Sequence, residues 1–265
     1  MDYLLISSVY LLLETYFLIS LRVLGFFLAV PIFGGTSTPH MTKVAIAMAT
    51  GFILMTSQNI APYMPHSATM TAFFAAGIKE MAVGIVLGFS VYFLIAMFYF
   101  IGQMVDYQIG FSMVSVMDPL NQIQIPISGN FFYLTVSCLL LITGAHYNFF
   151  RALFYSYQVL PIGSAILSSE HLMRTGSNLF ASFLSFGFKT ALPIIGSMLV
   201  LEVALGILNK ATPQMHIFSI GMQLKVIFGL SLVLIVFPMF SNIAEAVFLE
   251  INRTLYFMIR GMMPQ

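Results

Sequence analysis

The chain has 265 residues, of which 60% are hydrophobic and only 7% charged, with a formal net charge of +1. Soluble domains carry roughly 25% charged residues, and a water-soluble fold this poor in charge, at a mean hydropathy of +0.98, would expose apolar patches large enough to aggregate; the chain therefore belongs in lipid, in a large complex, or in both. Near-neutral charge offers no basic field for nucleic acid, and a single cysteine, Cys138, cannot close an internal disulfide.

Met1-Asp2-Tyr3 places no Lys or Arg ahead of the first apolar run, unlike a cleavable signal peptide, so that run is expected to be retained. A spanning helix needs about 20 mostly apolar residues. Six stretches qualify, at about residues 10–33, 44–61, 81–101, 131–150, 179–208 and 226–249. Breaks are expected at 34–39, 62–65, 102–129, around 168–177 and at 209–221, where Gly, Pro and small polar residues gather. No connection is long and polar enough to form a soluble domain. Pro31, Pro161, Pro193 and Pro238 lie inside or against apolar runs, so the prediction is an all-α, polytopic membrane protein with several broken helices.

The third stretch carries Gly77, Gly84 and Gly88 at helical spacing. Small residues in such a Gly-x-x-x-Gly pattern let a second backbone approach, either within the chain or from another subunit. Cytoplasmic loops should be rich in Lys and Arg. A six-span reading instead puts Lys43, Lys210 and Lys225 on one side and Arg151, Arg174, Arg253 and Arg260 on the other. Trp, a common interfacial anchor, is absent. Both points argue against a conventional upright bundle.

Glu14, Arg22, Lys189 and Glu202 fall within long apolar stretches, and Glu80 stands at the entrance to one. A charge at a bilayer centre costs about 2.5–3.5 kcal/mol on insertion scales, so four left unpaired would cost on the order of 10–14 kcal/mol. Helical i,i+3 and i,i+4 offsets join neither Glu14 to Arg22 nor Lys189 to Glu202. Their partners must come from other helices, other subunits or a wet cavity. These charges read either as structural ion pairs or as a proton or ion path in a carrier.

Signs of catalysis are sparse. His40, His66, His146, His171 and His216 are scattered, and neither a zinc-binding His-Glu-x-x-His nor a phosphate-binding loop occurs. Ser128-Gly129, with His146 further on, faintly suggests an intramembrane serine protease, but Pro126 stands where such a motif wants Gly. Ser128 reads more economically as a helix N-cap. The expectation is a protein that is not an enzyme and uses no metal or cofactor.

The segment from Gly102 to Pro126 is long, punctuated by Gly and Pro, and uncharged except at Asp106 and Asp118. Irregular backbone of this kind is tolerated at membrane depth only inside protein or against water. Met113 and Met117, four residues apart, suit a compliant apolar seal.

Three stretches together resemble the FliR family of export-gate proteins, called SctT in virulence secretion systems. The first is Arg22-x-x-Gly25 with Pro31, Pro39 and Lys43. The second is Lys79-Glu80-x-x-x-Gly84-x-x-x-Gly88-Phe89, continuing to Gly102-x-x-x-Asp106-x-Gln108-x-Gly110 and Asp118-Pro119. The third runs from Gly206 through Asn209-Lys210-Ala211-Thr212-Pro213-Gln214 to Phe218, then Gly221 and Lys225. Gly144-Ala145-His146, Ser156-Tyr157 and Pro161 also match, and Asn209-Lys210 departs where the family often has Arg.

The resemblance implies a non-enzymatic core subunit of the flagellar type III export gate, in the bacterial inner membrane at the flagellar basal body. It would assemble with FliP and FliQ, with FlhB wrapped around them and FlhA below, and pass unfolded proteins. It further implies a FliP-like part over 1–178, with a central loop at 106–130, and a FliQ-like helical hairpin over 179–265. The family's plug would fall on Gly110, Phe111, Ser112, Met113, Val114, Ser115, Val116, Met117 and Pro119. Arg22, Glu80, Asp106, Lys189, Glu202 and Lys210 would be structural or inter-subunit charges. Alternatives are a stand-alone ion-coupled solute carrier and the corresponding subunit of a virulence secretion system.

Overall fold

The computed structural model describes residues 2–30, 39–56, 69–111, 126–167, 170–212 and 217–264. The described residues form helices α1 (Asp2–Ala29), α2 (His40–Thr56), α3 (Met70–Ile109), α4 (Ile127–Ile142), α5 (His146–Val159), α6 (Glu170–Ala211), α7 (Ile217–Val236) and α8 (Phe240–Gly261). A short 3-10 turn, Phe237–Met239, joins the last two. Four stretches are apolar and long enough to cross a membrane: Val9–Ala29, Met70–Ile109, Glu170–Ala211 and Ile220–Gly261. The bent pair α4 and α5 makes a fifth if counted as one span, and α2 is a shorter apolar helix of 17 residues.

Each of the six apolar runs therefore carries helix, but several breaks fall elsewhere than expected. The expected break at 102–129 opens only at Gly110, because α3 keeps its helical bonding through Ile109. There φ of +98° turns the chain out of the helix, a conformation suited to glycine. The run 131–150 is not one helix; it is interrupted at Thr143, Gly144 and Ala145, with Gly144 at φ +71°. Ser177 and Asn209 lie inside α6, which also absorbs Pro193, so the expected break there does not occur. Pro238 does interrupt, as the centre of the 3-10 turn. Pro161 follows the extended Leu160 that ends α5, where the residue before a proline is pushed out of the helical region. Pro31 and residues 62–65 lie outside the described residues.

The chain separates into two compact units. The first comprises residues 1–93, 144–180 and 249–265. In it α1 buries Leu18, Ile19, Arg22, Val23, Phe26 and Phe27, one face at helical spacing. Tyr16 on α1 donates to the Met48 carbonyl of α2 at 3.1 Å, and a Cβ on Gly51 would press on Ser20. The segment after α5 is tied to the end of α8 by the Ile166 amide, which donates to the Met262 carbonyl at 3.0 Å.

The second unit comprises residues 94–143 and 181–248. Its core is aromatic: Phe240 packs on Phe132 at 4.4 Å and on Phe98 at 5.6 Å between ring centroids. Phe100 meets Phe183 at 5.4 Å, and Gly187 admits that ring closely to α6.

Candidate functional site

The first unit is organised around one buried ion pair. Arg22 on α1 and Glu80 on α3 are both fully buried, and the Arg22 Nε donates to Glu80 Oε2 at 2.6 Å. The other two guanidinium nitrogens donate to Ser156 Oγ and to the Leu160 carbonyl, each at 3.2 Å. The plane lies over the Tyr157 ring at 4.2 Å. Glu80 Oε1 in turn accepts from the Gly163 amide at 2.8 Å, and Tyr157 donates to the Ile19 carbonyl at 2.8 Å. One centre thus joins α1, α3, the end of α5 and the turn after it, and among the described residues no buried side-chain polar atom lacks a partner. A buried charge pair is tolerable only when the remaining donors and acceptors are used in this way.

Close backbone contact supports this centre. A Cβ on Gly84 would run into the Arg22 carbonyl, one on Gly25 into the Met81 carbonyl, and one on Gly88 would press on Phe26 and Ala29. Gly84 and Gly88 therefore pack within the chain, against α1. Gly77 is looser, since its Cβ would meet the end of the flexible Leu21 side chain at 3.1 Å.

The second unit holds Asp106, 5% exposed near the end of α3. Its carboxylate accepts from the Ser128 amide, at 3.0 Å for Oδ2 and 3.2 Å for Oδ1. Ser128 is thus a donor in the first turn of α4 rather than its N-cap. The cap position is Pro126, which has no capping side chain, so an acid from a different helix satisfies the free amides and the positive end of the dipole. Behind it a Cβ on Gly102 would strike the backbone of Ser128 and Gly129. The two helices cross at glycines, and Asp106 locks the crossing.

Of the expected plug residues, only Gly110 and Phe111 are described, both half-buried; Ser112, Met113, Val114, Ser115, Val116, Met117 and Pro119 lie outside the described residues. The Asp106 carbonyl accepts from the Gly110 amide at 3.1 Å and the Phe111 amide at 3.0 Å, which closes the end of α3.

The remaining expected charges lie on or beside the α6–α7 hairpin. Lys225 on α7 donates to Glu202 on α6 at 2.5 Å, both partly exposed. Lys210 is exposed in the last turn of α6, where a cation favours the helix end. Lys189 is exposed in mid-helix. Sequence reasoning missed Ser156, Tyr157, Leu160 and Gly163 as partners of the ion pair. It also missed Lys225 as the partner of Glu202, although the two stand at equal sequence distance from residues 213–214, as an antiparallel hairpin requires. Among the described residues no group of three or more His, Cys, Asp or Glu is placed to hold a metal.

The family described as bacterial export proteins, family 1, matches residues 13–251. The flagellar biosynthetic protein FliR of Escherichia coli is 31% identical over 245 residues, 90% of each chain. That of Bacillus subtilis is 26% identical over 222 residues, 83% of this chain and 85% of that protein. The surface presentation of antigens protein SpaR of Shigella sonnei is 27% identical over 157 residues, 59% of this chain and 60% of that one. Long apolar helices and these likenesses lead to one statement: the chain belongs to the bacterial export proteins, family 1, and is a membrane-embedded component of a flagellar or type III protein-export apparatus.

Proposed function

We propose that this chain is a core, non-enzymatic subunit of the flagellar export gate in the bacterial inner membrane, at the flagellar basal body. With FliP-like and FliQ-like subunits it forms the channel through which unfolded flagellar proteins cross, next to FlhB-like and FlhA-like components. The observation that carries this reading is the poor cover of the last two long apolar stretches. In the most apolar window of Glu170–Ala211 and of Ile220–Gly261, 17% is buried within the chain, against 56% for Met70–Ile109. Glu170–Ala211 is a single helix of 42 residues, about 63 Å at 1.5 Å per residue, whereas the hydrocarbon core is about 30 Å thick. Lipid can cover only about half of that length, and other subunits cover the rest.

Within the assembly, residues 1–178 form a FliP-like part and 179–265 a FliQ-like part that includes the α6–α7 hairpin. The segment from Gly110 to Pro119 is the plug, a soft apolar constriction that blocks ions by dewetting and yields to substrate. The complete hydrogen bonding of Arg22 and Glu80 favours a structural role over an ion path.

Native mass spectrometry of the tagged chain, co-expressed with its genomic neighbours and extracted in mild detergent, tests the proposal. The expected result is one heteromeric complex containing FliP-like and FliQ-like subunits. A lone monomer or homodimer with those partners expressed would overturn it in favour of a carrier.

A further inference from the structure

Most charges in the apolar stretches have an identified partner: Arg22 and Glu80 hold each other, and Glu202 holds Lys225. Lys189 differs. It is exposed on α6, and no carboxylate among the described residues lies within ion-pair distance of its ammonium. Glu245, three residues beyond Asn242 on α8, is exposed and makes no ion pair with it.

Lys189 also lines a cavity of about 340 Å³ in the second unit. Phe186 and Pro193 of α6 and Met239 and Ile243 of the facing segment form its apolar walls, and Asn242 adds an amide. Pro193 has no amide hydrogen, so the Lys189 carbonyl, four residues earlier, loses its helical donor. Lys189 brings an uncompensated cation to a cleft whose walls are mostly apolar.

Charge complementarity selects a carboxylate as the occupant. Lys189 stands ten residues, about 15 Å, inside the apolar run that begins at Leu179. A hydrocarbon core about 30 Å thick centred on that run, which extends to Leu208, holds Lys189 about 7 Å from its middle, away from lipid phosphates. An acidic side chain on another protein helix can present its charge at that depth, and ionisable groups within apolar spans pair in this way.

We propose that this cleft is a subunit contact: it receives an Asp or Glu side chain from a membrane helix of a neighbouring export subunit, with Lys189 as counter-ion and Asn242 as a second donor. The inference rests on the assembly reading above and adds to it a specific surface and the charge of the partner.

The test uses the complete complex purified through the tagged chain, with wild type, Lys189→Arg, Lys189→Met and Lys189→Glu compared at equal chain level in the membrane. Lys189→Glu is expected to lower the recovered heteromeric complex more than tenfold, Lys189→Met less, and Lys189→Arg little. A photo-crosslinking residue in place of Phe186 should join the chain to an export subunit at a peptide bearing Asp or Glu, and Lys replacing that acid should restore assembly with Lys189→Glu. Undiminished complex with Lys189→Glu, crosslinking only to lipid, or rescue of Lys189→Glu by Glu245→Lys within the same chain would each overturn the proposal. Those outcomes would leave the assembly reading standing, whereas absence of any heteromeric complex in wild type would remove both.

Discussion

Arg22 and Glu80, 58 residues apart in sequence, meet at 2.6 Å with neither side chain reached by solvent. Because α1, α3 and the end of α5 converge on them, the pair acts as a pin for the first unit. Removing one member leaves the other as a buried uncompensated charge, at a cost of about 3–5 kcal/mol. Arg22→Met and Glu80→Gln should each sharply lower the thermal stability of the detergent-extracted complex, while Arg22→Met with Glu80→Leu should recover part of it. A double variant as unstable as the worse single one would show that the pair is not the cause.

Gly84 makes a second, independent prediction. Its Cβ would enter the Arg22 carbonyl, which is backbone and cannot move aside. Gly84→Val should therefore abolish accumulation of the chain, as judged by immunoblot of membranes. At Gly176 in α6 nothing lies within 4 Å of an added Cβ, and Gly176→Ala should be tolerated or stabilising, by up to about 1 kcal/mol.

Asp106 caps a helix to which it does not belong. Loss of an N-cap costs about 0.5–2 kcal/mol. Asp106→Ala should speed hydrogen exchange at the Ser128 amide by roughly two- to thirtyfold, with exchange in the middle of α6 unchanged. Equal acceleration everywhere would point to general destabilisation rather than loss of a cap.

The plug assignment is tested by function. Deletion of residues 111–117 should leave the heteromeric complex assembled and make cells leaky to small ions, measured as loss of membrane potential. Unchanged ion leakage in a properly assembled variant would remove the assignment. Gly110, at φ +98°, sets the exit from α3 into this segment. Gly110→Val should be strained by about 1–3 kcal/mol, whatever space surrounds it.

The helices were legible because apolar runs of about 20 residues declare themselves without reference to anything distant. All six expected runs carry helix. The interruption at Gly144 is not legible in the sequence, because a single glycine in an apolar run reads as tolerated helix. Pro193 erred the other way: a proline forecasts a break, but α6 continues through it, and only the surrounding packing decides whether the lost bond is absorbed.

Composition and patterning by themselves determined the solvent this chain requires, its all-helical class and which side chains could not remain unpaired there. Tertiary structure alone decided the pairings. It chose Glu80 for Arg22 from across 58 residues, gave Asp106 to the start of α4, and set Gly25 and Gly84 against facing backbone. The physical reason is range: hydrophobic periodicity is a local property of a segment, whereas the partner of a buried charge depends on which helices meet, and at what depth.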